Sequence, residues 1–197
     1  MNLTLQILEN PWVRLEPLGV EHKEALRAAC DADPDTWNRL YPYSMLGEAF
    51  DRRWDDHLVK TQADGSWMQY AVMVGGRCMG MTCHIGADAA NASTEVGGTY
   101  YHPQVRGGAV NPAAKRLMMG HAFDAGARRV VYRVDAINAR SRAAVLKLGA
   151  VQEGILRQDR VTWTGRIRDT VIFSVLAEEW PDVRDRLDAR LSSFDPS

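Results

Sequence analysis

The chain has 197 residues, 46% hydrophobic and 25% charged, with a formal net charge of −1. That length suits one domain with a full core, expected over residues 1–197, and the charge balance excludes an overall drive toward nucleic acid or an anionic membrane. Cys30, Cys78 and Cys83 form no CxxC pair and no run reaches 18 apolar residues, so a disulfide framework, a metal cluster and a membrane span are not expected.

In chain order, Trp12 to Pro17 alternates apolar and polar residues and reads as a strand closed by proline. Glu21 to Cys30 suits a helix that Asp33-Pro34-Asp35 breaks, and Trp37 to Pro42 reads as irregular. Leu46 to Lys60 places Phe50, Trp54 and Leu58 at helical spacing. Trp67 to Val74 and Cys78 to Ile85 are apolar runs joined by Gly75-Gly76, a hairpin signal. Thr94 to His102 is a third strand, stopped by Pro103. Then comes Gln104-Val105-Arg106-Gly107-Gly108-Ala109-Val110-Asn111-Pro112. Its glycines let the backbone present N–H groups at close range. A helix N-terminus adds free amides and partial positive charge, so the loop is a seat for phosphate or pyrophosphate.

Asn111 is the expected N-cap of the next helix and Pro112 its first residue, with Gly126 closing it. Arg129 to Asp135 is a strand, Asn138 caps a helix that Gly149 ends, and Val151 to Leu156 and Asp169 to Leu176 are strands. Trp180 to Leu191 is a terminal helix. Antiparallel strands with one strand–helix–strand crossover make an α/β, or α+β, mixed sheet. Between Arg128 and Arg168 the basic residues greatly outnumber Asp135, Glu153 and Asp159, which reads either as a solvated surface or as a wall near an anionic ligand. Met1 to Gln6 shows no basic segment followed by an apolar one, so the expected location is the cytoplasm.

The order of elements, and the residues on them, resemble the GCN5-related N-acetyltransferase (GNAT) superfamily, in its RimJ/RimL-like branch. The resemblance rests on Arg106 to Asn111, on Asn138-Ala139-Arg140-Ser141, on Lys147-Leu148-Gly149-Ala150, and on Glu153-Gly154 with Arg157. The loop can be registered from Gln104, with Gly107 and Ala109 in the motif positions, or from Arg106, with Ala109 where glycine is usual. The second keeps the following helix in step with the family and puts modest strain on Ala109 if a positive φ is needed there.

The resemblance implies a mostly antiparallel sheet flanked by helices, with a splayed strand pair for acetyl-CoA as cosubstrate. The implied cofactor-binding residues are Tyr100, Tyr101, His102, Arg106, Gly107, Gly108, Ala109, Val110, Asn111, Asn138 and Ser141. The implied base is Glu95, with His84 and His102 as rivals, and a main-chain N–H near Thr99 to Tyr101 holds the oxyanion. The family's usual tyrosine acid falls at Val145, which leaves Ser141 to protonate the departing thiolate. Lys115 and Arg116 are candidates for CoA phosphates. Trp37, Tyr41, Tyr43, Trp54 and Trp163 are candidates for the acceptor pocket, and His57, Arg160 and Arg168 for a carboxylate on the acceptor. The implied partner is a primary amine, on a small molecule or a protein N-terminus, and the family's habit suggests a homodimer. A CoA-binding module with little catalysis is the alternative.

Overall fold

The computed structural model describes residues 1–195. Eight strands form one sheet: β1 (Leu8–Asn10), β2 (Val13–Pro17), β3 (Trp67–Val74), β4 (Arg77–Asp88), β5 (Ser93–Tyr101), β6 (Arg129–Asp135), β7 (Val151–Val161) and β8 (Ile167–Leu176). Their order is β1-β2-β3-β4-β5-β6-β8-β7. Every neighbouring pair is antiparallel except β5 and β6. The expected mixed sheet is present, with β1 as an added edge strand.

Alternation along the strands gives the sheet two apolar faces. One packs on α5 (Val110–Asp124), α6 (Ala139–Lys147) and α7 (Trp180–Leu191), with Leu15, Val96, Met118, Phe173 and Leu187 in its core. The other packs on α1 (Lys23–Asp31), α2 (Pro34–Leu40), α3 (Gly47–Arg53) and α4 (Val59–Ala63), around Leu26, Trp37, Phe50, Met81 and Tyr100. Gly75 and Gly76 both take positive φ, +55° and +74°, as the hairpin between β3 and β4 requires.

β4, β7 and β8 run longer than the sequence reading, and four other boundaries differ from it. Trp37 lies in α2, because Asp33 Oδ1 accepts from Thr36 N at 3.2 Å and Pro34 fits the first turn. Asp33-Pro34 is therefore a helix start as well as a break. The expected 46–60 helix is α3 and α4 joined by a π-helical turn, Trp54–Leu58. A 3-10 turn, Val20–His22, precedes α1. Helix α5 begins at Val110, with Ala109 in the cap position and no side-chain cap, so Asn111 sits inside the helix rather than capping it.

The sheet opens where β5 meets β6. These strands pair only at Ser93↔Arg129, Thr94↔Val130 and Glu95↔Val131, and no pairing continues beyond. On its other side β5 bulges: Met81 faces Tyr100 and Cys83 faces Gly97, so Gly98 and Thr99 together oppose Thr82. Gly98 has φ +56°, and a Cβ there would stand 2.9 Å from Cys83 Sγ, so this bulge needs glycine on two counts.

Candidate active site

The glycine loop and the start of α5 stand at the open end of the split. Gly107 carries the positive φ, +84°, and nothing lies within 4 Å of where its Cβ would be. Ala109 has φ −69°, so the strain expected at Ala109 does not arise. Among the described residues the amides of Gly107, Gly108 and Ala109 donate to no backbone carbonyl. Together with the α5 N-terminus they are free for an anion.

The Arg106 side chain turns inward. Its Nε donates to Tyr101 O at 2.7 Å and its Nη1 pairs with Asp33. This guanidinium braces the loop against α2, and what the loop offers a phosphate is backbone. His102 Nδ1 accepts from Gln104 N at 3.2 Å and caps the 3-10 turn Pro103–Val105. Val110 is buried in the core, and Tyr100 is buried on the opposite face with its hydroxyl donating to Ala29 O at 2.8 Å. Only the backbone of these two residues is left to meet a ligand. Asn138 Oδ1 accepts from Ser141 N at 3.0 Å and caps α6, as expected.

The lining of the split on the α5 side contains a lysine that sequence reasoning misplaced. Lys115 is 5% exposed, on the apolar side of α5 rather than in solvent beside a phosphate. Its Nζ donates to Thr99 Oγ1 at 2.6 Å and to Thr82 Oγ1 at 3.4 Å, and stands 5.7 Å from the centre of the Tyr132 ring. Burial pulls its pKa down to about 7. The buried hydroxyls of Tyr101 and Tyr132 have no hydrogen-bond partner among the described residues. Arg116, the other expected phosphate contact, instead pairs with Asp188 of α7 and covers Trp180.

Glu95 projects from the last paired position of β5 onto the opposite face, where Arg133 Nε lies 3.2 Å from its carboxylate. Burial raises its pKa, and Arg133, Arg160 and Arg168 act against that rise. Part of the basic run seen in the sequence is paired: Arg129 with Glu153, Arg160 with Asp159, and Arg166 with Asp135. These paired arginines line this face of the sheet rather than the glycine loop, while Arg140, Arg142 and Lys147 lie on α6. Asp169 Oδ1 accepts from Gln158 N at 2.7 Å.

The rival bases His84 and His102 are poorly placed, and so is His57 as a carboxylate contact. His84 lies on the α5 side, 5.3 Å from His121 between ring centres, and burial lowers its pKa to about 3. His57 stands edge-on to Trp67, with a pKa lowered to about 4 by burial and by Arg53. Trp37 and Trp54 are core residues, and Trp37 Nε1 donates to Cys30 O at 3.1 Å. Tyr41 donates to the carbonyl of Thr99 and so ties the bulge to α2. Trp163, half exposed at the tip of the β7–β8 hairpin, donates from Nε1 to Trp37 O at 3.1 Å.

A sheet that opens beside one parallel pair, with a helix start at the opening and a carboxylate across the strand, is the architecture of a GNAT-type acyltransferase. The sequence agrees: residues 13–151 match the Acetyltransferase (GNAT) domain, and the chain belongs to that family. A GCN5-related N-acetyltransferase from Brucella melitensis superposes with a TM-score of 0.90 at 30% identity, over 99% of this chain and 90% of that one. RimJ of Mycobacterium smegmatis, solved with CoA-disulfide, gives 0.80 at 23% identity, over 94% and 93%. RimL, the ribosomal L7/L12 α-N-protein acetyltransferase solved with coenzyme A, gives 0.76 at 14%, over 87% and 98%. At these last two identities the likeness is one of fold. No curated protein sequence matches the chain. Among the described residues no group of three or more His, Cys, Asp or Glu is placed to hold a metal, and no helix is long and apolar enough to cross a membrane.

Proposed function

We propose that the protein transfers the acetyl group of acetyl-CoA to a primary α-amine, on a protein N-terminus or a small amino compound. The observation that carries this is the split between β5 and β6, with Glu95 at its closed end and free loop amides at its open end. The lining suits a long polar arm: open space at Gly107 and Gly108, and unpartnered buried hydroxyls on Tyr101 and Tyr132. Acetyl-CoA, when bound, supplies an activated acyl thioester.

The chain's own residues then have distinct tasks. The amides of Gly107, Gly108, Ala109, Val110 and Asn111 hold pyrophosphate at the α5 start. Asn138, as the α6 cap, borders the pantetheine arm. Glu95 accepts a proton from the acceptor ammonium, whose ordinary pKa is roughly 7.7–8.0. Its own raised pKa brings it nearer the operating range of a base. A bulge amide between Thr99 and Tyr101 donates to the developing oxyanion. Ser141 at the first turn of α6 donates a hydrogen bond to the departing sulfur and relays to it a proton released by the acylated amine, so that its own hydroxyl is restored. The reading includes a cytoplasmic location and a homodimer, the latter checked by sedimentation.

A thiol-release assay with acetyl-CoA against peptides, amino acids and polyamines tests the reading. Glu95→Gln should lower kcat by about 10²–10⁴-fold while CoA binding by calorimetry is unchanged. Ser141→Ala should lower kcat less, with the larger effect at high pH. A chain that binds CoA yet releases no thiol with any acceptor would be the binding module instead. A chain that does neither would end the proposal.

A further inference from the structure

Around Glu95 the sheet face carries four guanidiniums, those of Arg133, Arg160, Arg166 and Arg168, against three carboxylates, Glu95, Asp135 and Asp159. Arg133, Arg160 and Arg166 each hold a carboxylate at ion-pair distance. Arg168 is the surplus. Its nearest carboxylate is Asp135, 3.8 Å from Nε, and Asp135 is already engaged by Arg166.

Arg168 is nevertheless the most buried of the four, with a side chain 7% exposed. Its Nε donates to Thr170 Oγ1 at 3.1 Å, and the Thr170 hydroxyl donates in turn to Asp159 at 2.8 Å. That chain fixes the plane of the guanidinium. Among the described residues neither Nη makes a hydrogen bond. A guanidinium has five N–H donors, and donors taken out of water cost free energy unless they are met. Four of the five, on the two Nη, have no protein acceptor at hydrogen-bond distance among the described residues and are not sealed from solvent, on the face that carries Glu95. The fork geometry of those donors suits a planar carboxylate held by two parallel bonds.

We propose that the acceptor amine brings a carboxylate of its own, which seats on the Nη fork of Arg168 while the amine meets Glu95. One uncompensated positive charge matches one carboxylate, whereas a phosphate would bring nearly two negative charges. The inference rests on the acyltransferase reading above and narrows its substrate class to acidic amines. The carboxylate has two sources, the α-carboxylate of a free amino acid or an acidic side chain near a peptide's N-terminus.

Two matched series separate these. One compares free amino acids with their α-amides, the other peptides with Asp or Glu against Asn or Gln at the second residue. Thiol release should favour the acidic member of one series at least tenfold in kcat/KM, and the preferred series names the source. Arg168→Gln should erase that preference by bringing KM for the acidic members to that of the neutral ones, while any change in kcat transmitted through Glu95 falls on both members alike. Arg168→Lys, which keeps charge without the fork, should keep part of it and controls for folding. Calorimetry with the N-acetylated products reads the same preference without turnover. Equal handling of acidic and neutral members, or a preference that survives Arg168→Gln, overturns the proposal. Loss of CoA binding and of all thiol release in the unaltered chain would instead mark failure of the acyltransferase reading, and product binding would still judge Arg168.

Discussion

Lys115 shows how one side chain can be both a cost and a constraint. Its ammonium is buried with two threonine hydroxyls and no carboxylate within hydrogen-bond reach. The facing groups are Thr82 of β4, Thr99 of β5 and Tyr132 of β6, with His84 nearby, and Cys83 and Glu95 act on it electrostatically from across the sheet. In the unfolded chain the amine keeps its proton to about 10.5, but in the fold only to about 7. Between these values the unfolded state binds the extra proton, so this group makes stability rise with pH across that window, by up to about 1.4 kcal/mol per pH unit. Below pH 7 the full penalty is present, and above the unfolded value it is gone. Lys115→Met should therefore be more stable than the parent at pH 6 and lose most of that advantage by pH 10, in urea unfolding midpoints taken across the range. A constant difference at all pH values would refute the assignment. The sequence carried a hint of this burial. Lys115 falls three residues before Met118 and four before Met119, on the apolar stripe of α5. A charge on such a stripe is more informative than a charge beside a glycine loop. Glu95 was readable as a candidate base, but its partner Arg133 was not. The two are 38 positions apart and meet through the parallel register of β5 and β6, which local pattern does not reveal.

At the scale of elements, turn chemistry and apolar period located most strands and helices, because each of those signals is local. α2 escaped because seven residues are too few to show a clear period, and because Asp33-Pro34 signals both a break and a start. The π turn between α3 and α4 preserves the apolar face across Trp54 and Leu58, so periodicity alone reads through it. α2 matters to the site because Asp33 serves two elements at once. It caps α2 through Thr36 N and Thr36 Oγ1, and it pairs with Arg106 of the glycine loop. Asp33→Ala should cost about 2–4 kcal/mol, the sum of a lost cap and a largely buried guanidinium left without its carboxylate. Asp33→Asn keeps the cap acceptor and should lose about half as much. Urea denaturation measures both. Equal losses in the two variants would mean that the cap contributes nothing and the Arg106 contact alone is at work.

Across the whole molecule the sheet works as a partition. The glycine loop, α5 and α6 lie toward one face, and Glu95 with its arginines projects onto the other. The strands separate only between β5 and β6, so the two faces communicate there, where the proposed reaction brings acyl group and amine together. The acceptor face is framed by parts distant in sequence. The β7–β8 hairpin reaches the α2 region through Trp163 Nε1 to Trp37 O at 3.1 Å, Trp163 N to Pro42 O at 3.1 Å, and Arg166 to Arg39 O at 3.2 Å. This contact spans more than a hundred residues and touches no part of the glycine loop. Trp163→Ala removes the indole and its hydrogen bond while leaving the backbone contact available. If the hairpin frames the acceptor, the variant should raise KM for the amine severalfold and leave the CoA dissociation constant within twofold. The exposed position of the indole limits the stability loss to about 1–2 kcal/mol. Isothermal titration with CoA and steady-state thiol release separate the two effects. A matching loss of CoA affinity would mean that the faces are coupled through the hairpin, and the partition would have to be abandoned.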